Sequence, residues 1–277
     1  MTDTFSLRER VYELLMCDDP GQKVEGVHAL CRVLDSAVVT LQLDTVQSVP
    51  VPGRPDRPVL VHPRDVAKRG TGSARGKLAQ LHAFAHIEFN AINLALDAVY
   101  RFAELPASFY TDWLKVADDE ARHFSLLRTC LQNRGTDYGE FSAHNNLWDM
   151  AVDTDHDILA RMALVPRVLE ARGLDVTPGI IDRYRRAGDS EVVAILETIY
   201  TDEIGHVAVG NRWFHHVCEC RALEPEQAFR ELLIRYGRGY LNGPFNREGR
   251  IQAGFSESEL ETISALAQDF RQASKRD

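Results

Sequence analysis

Asp119-Glu120-Ala121-Arg122-His123 and Asp202-Glu203-Ile204-Gly205-His206 are the two stretches that decide how this 277-residue chain is read. Each sets a glutamate and a histidine three residues apart, one turn of α-helix, so both side chains leave the same face. One such turn offers a carboxylate and an imidazole to a cation. Two of them, on helices that face each other, offer a pair of each.

A dinuclear carboxylate centre in a helical bundle needs, beside two Glu-x-x-His helices, one further glutamate from each of two other helices. Those glutamates belong about one hairpin upstream. Glu88 lies 32 residues before Glu120, and Glu170 lies 33 before Glu203. The first pair passes a geometric check. Glu88 stands 14 residues before Phe102 and Glu120 stands 14 after Pro106, which puts both ~21 Å from the turn of an antiparallel hairpin and at one level. The second pair is less regular, because Gly173 and Pro178 predict a break in the third helix at 173–178, with helix resuming over 180–187. Pro166, four residues before Glu170, removes a backbone donor and predicts a kink there.

Chance must be weighed against this. The 10 histidines and the glutamates of this composition give roughly one accidental Glu-x-x-His. Glu25-Gly26-Val27-His28 fits that description, having no acidic residue before it and no glutamate at hairpin distance upstream. The other two share the form Asp-Glu-x-x-His and the matched upstream spacing.

Four carboxylates converging in a core without cations would cost several kcal/mol per ion, whereas two divalent ions neutralise them. Hard oxygen donors with only two imidazoles favour iron or manganese over a thiolate zinc site. The expected metal ligands are therefore Glu88, Glu120, His123, Glu170, Glu203 and His206. Glu120 and Glu203 bridge, Glu88 and His123 hold one ion, and Glu170 and His206 hold the other. The cofactor is two Fe ions, with Mn or mixed Mn/Fe as alternatives. Asp119 and Asp202 are candidates to hold the ring N–H of a ligand histidine on a neighbouring helix; the alternative is a solvated helix acid. Tyr200, one turn before Glu203, is the catalytic candidate for supplying a proton or an electron, with a plain core tyrosine as the alternative. His82 and His86 point about 120° or more away from the Glu88 face at ~100° per residue, and are expected to be packed or capping residues.

Around these motifs the chain reads as helix almost throughout. Apolar residues recur at helical spacing over 5–45, divided by a turn at 18–21. Five prolines between Pro50 and Pro63 exclude helix and predict an extended arm. Long helices follow over 74–102, from Pro106 to before Gly135, over 153–172 and from 189 or 190 to about 218, and further helices over 225–241 and 256–274. The expected organisation is N-terminal helices and arm (1–73), a four-helix bundle carrying the metals (74–218) and a C-terminal helical extension (219–277).

A net charge of −9 argues against a surface given over to nucleic acid or anionic lipid. The arm from Arg54 to Lys77 carries seven basic residues against two acidic, the one stretch suited to anions, but it lacks interleaved aromatic residues for stacking bases. It is expected to wrap the bundle rather than bind RNA. Five cysteines without a Cys-x-x-Cys pair do not form a disulfide framework, and no segment reaches ~18 uninterrupted apolar residues. A cytoplasmic protein is expected.

At 119–123 and 202–206 the chain resembles ferritin-like di-iron proteins, among them the methane and toluene monooxygenase hydroxylases and the tRNA hydroxylase of modified adenosine. Pro-Gly-Arg-Pro (52–55), His-Ile-Glu (86–88), Tyr-Arg-Phe (100–102), Phe-Tyr-Thr-Asp-Trp (109–113), Glu-Ala-Arg-Gly-Leu-Asp-Val-Thr-Pro (170–178) and Pro-Phe-Asn (244–246) give a closer resemblance over about 20–255. That resemblance is to the ferritin-like family catalogued as domain of unknown function 455. It implies an all-α, ferritin-like four-helix bundle with added terminal helices and the six ligands named. The leading expectation is an oxidoreductase whose iron centre activates O₂ to oxidise a small organic substrate, fed by an external electron donor. A ferroxidase or iron-storage protein is the alternative, disfavoured by roughly 100 residues outside the core helices. A structural metal site in an interaction module is the third. A homodimer remains open.

Overall fold

The computed structural model describes residues 4–34, 38–41 and 45–273. The protein is all-α, with one pair of three-residue strands among the described residues. The chain divides into two compact units, 1–152 and 153–277.

The first unit opens with strand β1 (Thr4–Ser6), helix α1 (Leu7–Leu15) and helix α2 (Pro20–Leu34). Pro20 lies inside α2 instead of in the turn before it, where its missing N–H costs nothing, and Asp19 caps the helix by accepting from Gln22 N–H at 2.8 Å. The expectation of helix as far as residue 45 is corrected. Val38–Thr40 forms strand β2, parallel to β1, as suits a run of β-branched residues; residues 42–44 lie outside the described ones. The arm is extended, with one short 3₁₀ turn at Pro63–Asp65. It is tied down: Trp148 Nε1–H donates to Pro50 O at 3.2 Å, while Val61 N–H and Ala143 N–H donate to Ala143 O and Val59 O at 2.8 and 3.1 Å.

Helix α3 (Ala74–Arg101) and helix α4 (Ala107–Gln132) form the predicted hairpin, followed by α5 (Asn146–Asp153). Ser73 caps α3 by accepting from Gly76 N–H at 3.0 Å, and the other end is closed by Arg8, which donates to Tyr100 O at 2.9 and 2.6 Å. From Ala79 to Tyr100 every residue of α3 but Phe84 and Ile87 is buried, the mark of a central helix. Several of those buried residues are polar.

The second unit holds α6 (Ile158–Leu164), a π-helical turn (Val165–Glu170), α7 (Ala171–Arg186), α8 (Ser190–Cys220), α9 (Pro225–Tyr236), α10 (Arg247–Gln252) and α11 (Glu257–Ala273). Two expectations are corrected. The third helix starts at Ile158, where Asp157 caps it by accepting from Leu159 N–H at 3.1 Å. It does not break at 173–178, and Pro178 lies inside α7. Proline there cannot donate to Leu174 O, and that carbonyl instead accepts from Asn246 Nδ2 at 3.0 Å. The irregularity falls earlier, at Pro166, as a π turn. Pro166 packs against Gly210 of α8, where an added Cβ would stand 2.3 Å from the proline ring. Among the described residues no helix is long and apolar enough to cross a membrane.

Candidate metal centre

In the first unit the α3–α4 hairpin brings Glu88, Glu120 and His123 together with ligand atoms within 4.8 Å of one another. All three are buried, at 5%, 0% and 0% exposure. His123 Nδ1 lies 3.3 Å from Oε2 of Glu120 and 3.3 Å from Oε2 of Glu88; the first is a hydrogen bond, the second an ion-pair distance without hydrogen-bond alignment. Helix geometry explains the meeting. Glu120 and His123 are one turn apart on α4, and Glu88 arrives at their level from α3 because the two arms of the hairpin are equally long.

The electrostatics call for positive charge. Burial, then the neighbouring Glu120 carboxylate, drives the Glu88 carboxyl well above the usual range. Burial alone would hold His123 neutral, but its interactions with Glu120 and Glu88 outweigh it and raise the imidazole far above normal. Both shifts mark a site short of positive charge. The donor set, two carboxylates and one imidazole free of thiolate, fits a hard divalent metal ion.

In the second unit Glu203 and His206 lie one turn apart on α8, with His206 Nδ1 3.8 Å from Glu203 Oε2. Glu170 closes the π turn. Their exposures are 8%, 3% and 8% for Glu203, His206 and Glu170, so this unit also buries two carboxylates and an imidazole. The turn carrying Glu170 is pinned from within. Arg167 is fully buried, ion-paired to Glu259 of α11, and its guanidinium lies 4.1, 3.8 and 5.0 Å from the ring centroids of Phe214, Phe229 and Phe255. Burial pulls it down to about 10, with Glu259 opposing.

The remaining candidates fall as follows. Asp119 accepts from Lys115 Nζ at 3.0 Å and Arg122 Nη2 at 3.2 Å, and Asp202 is half-buried on α8. The Tyr200 hydroxyl is 3.0 Å from Asn246 Nδ2. His28 of the third Glu-x-x-His is 2.6 Å from Asp118 of α4, a half-exposed tether between helices. His82 Nε2 accepts from Gly139 N–H at 2.8 Å, and the Tyr138 hydroxyl donates to His86 Nδ1 at 2.9 Å, so both histidines are packed residues. Sequence reasoning misses buried Lys23, Asn93 and Arg167, because nothing local sets them apart from surface positions of their helices.

An all-α fold whose buried Glu/His groups suit a metal ion describes the class of protein. The particular family is also shown: the chain belongs to the family described as protein of unknown function DUF455, which matches residues 16–261. An uncharacterized protein of Haemophilus influenzae is 42% identical over 282 residues, covering 97% of each chain. No solved structure matches the chain.

Proposed function

We propose that the two buried sets serve one dinuclear iron or manganese centre of the ferritin-like kind, and that the protein is an oxidoreductase using O₂ to oxidise a small organic substrate. The observation that carries this reading is the buried Glu88, Glu120 and His123 group, whose ligand atoms lie within 4.8 Å, together with its counterpart motif on α8. That they serve a single centre rests on the matched 32- and 33-residue spacings in the chain. Glu88 with His123 and Glu170 with His206 would each hold one ion, and Glu120 and Glu203 would bridge. Iron in this ligand set supplies the one-electron steps and O₂ chemistry that no side chain offers. The chain's own part is to fix the carboxylates and exclude water: Glu120 and His123 are wholly buried, on a hairpin that holds Glu88 opposite them.

The test is anaerobic reconstitution with Fe(II) or Mn(II), metal analysis, and O₂ uptake with and without candidate organic substrates. Two ions per chain and substrate-dependent uptake support the proposal. Uptake that tracks only added Fe(II) would replace it with iron oxidation or storage; failure to hold more than one ion would remove the dinuclear centre.

A further inference from the structure

The arm from Arg54 to Lys77 carries seven basic residues against two acidic. Where it crosses α3 it closes a cavity of about 10 Å³, room for the centre of one water-sized sphere. Arg54 lines it from the arm, Asn90 and Asn93 from α3, and Tyr138 from the loop after α4; no aspartate or glutamate does.

The orientation of Asn93 is set from behind by Lys23, which is 0% exposed. Its ammonium donates to Leu15 O at 3.2 Å, to Gly53 O at 2.7 Å and to Asn93 Oδ1. Three protons meet three acceptors, so the ammonium is fully used. None of the three carries a charge. With Oδ1 turned to Lys23, the amide's Nδ2–H₂ faces the other way, and Asn93, 1% exposed, finds no acceptor for it. Two neighbouring donors are already engaged: Asn90 Nδ2 donates to His86 O at 2.8 Å and the Tyr138 hydroxyl to His86 Nδ1 at 2.9 Å. Among the described residues no carboxylate pairs with half-buried Arg54. The Arg54 cation and an orphaned buried N–H₂ therefore line a one-atom space with no negative charge, and leaving such donors unmet is costly.

We propose that this cavity is a binding site for one small monovalent anion of the halide class, held by Asn93 Nδ2–H₂ and balanced by the Arg54 guanidinium. A halide accepts hydrogen bonds from every side and donates none, which suits this lining. Its occupancy stitches the arm to α3 five residues beyond Glu88, and it is independent of any metal.

The experiment is thermal unfolding of the full chain in chloride or bromide against gluconate at equal ionic strength, with a bromide-soaked crystal read by anomalous scattering. A halide-specific, saturable rise in Tm is expected, with one bromide peak within hydrogen-bond distance of Asn93 Nδ2. Arg54→Gln should weaken the apparent halide affinity at least about tenfold, the scale of one charge-assisted hydrogen bond, and Asn93→Asp, isosteric but anionic, should abolish the effect. Coincident halide and gluconate curves for the unaltered protein would overturn the proposal, as would a water in the cavity with no bromide. A bromide peak seen only at molar concentration and indifferent to Arg54→Gln would mark an adventitious ion only.

Discussion

The two buried Glu/His sets use the same residue types and reach them by different backbones. In the first unit Glu88, Glu120 and His123 sit on two unbroken helices, α3 and α4, where helical repeat and hairpin length alone bring them level. In the second, Glu203 and His206 sit on unbroken α8, but Glu170 ends a π turn. A π turn adds a residue to the helical repeat, so the direction of Glu170 follows from whatever holds that turn. Gly210 receives Pro166, and Glu259 receives Arg167. The first set is thus a product of local geometry, and the second depends on distant residues that belong to neither set.

The largest expected effect tests the equivalence of the sets. Glu120→Ala and Glu203→Ala should each abolish dinuclear binding, since in the proposed centre each would remove a bridge, whereas Glu88→Ala or Glu170→Ala should leave one ion bound. Metal analysis of the four variants decides it, and two tightly held ions in both bridge variants would refute the assignment.

Stability should then separate the units. Glu259→Ala leaves fully buried Arg167 without its partner, and a loss of about 3–5 kcal/mol in denaturant unfolding is expected. The double change of Arg167→Met with Glu259→Leu should recover much of it. Gly210→Ala, which sets a Cβ 2.3 Å from Pro166, should cost about 1–3 kcal/mol. At Gly205, on the same helix with nothing within 4 Å of an added Cβ, the same change should instead stabilise slightly.

Acid should weaken the first unit through His82. Burial, aided by Arg69 and opposed by Asp137, lowers this imidazole from 6.5 to about 4. The unfolded chain therefore takes up the proton first, and stability falls as pH drops from 6.5 towards 4, by at most about 3 kcal/mol. Above 6.5 the histidine contributes no pH dependence. Burial lowers His86 to about 4 as well, so His82→Gln should reduce the slope of that limb of the stability–pH curve by its own share; an unchanged slope would remove His82 as a source.

The smallest effect belongs to the accidental motif. His28→Ala removes a half-exposed pair with Asp118, worth under about 1 kcal/mol, and metal content should not change. Loss of metal in that variant would mean that the wrong Glu-x-x-His motifs had been chosen.

The hairpin and its three candidate ligands are legible in the sequence because an i, i+3 pair faces one way on any α-helix, and because Phe102 and Pro106 bound a connection too short for anything but an antiparallel return. The bounds of α3, α4 and α8 lie close to those read from the sequence, and the structure shows local contacts at their starts: Ser73 and Asp189 cap α3 and α8, and Pro106 precedes the first turn of α4. The strand at 38–40 reads as helix in the sequence, since short apolar runs carry no reliable period. What tertiary structure decided lies where a backbone group finds its partner far along the chain. Pro178 stays inside a helix because Asn246, across 72 residues, donates to Leu174 O in place of the missing N–H. His28 is tethered by Asp118, 90 residues away, and the amide of Asn93 is turned by Lys23 over a separation of 70. A sequence declares the donors and acceptors it carries. Which of them meet depends on packing that brings remote segments together, and local propensity holds no record of that.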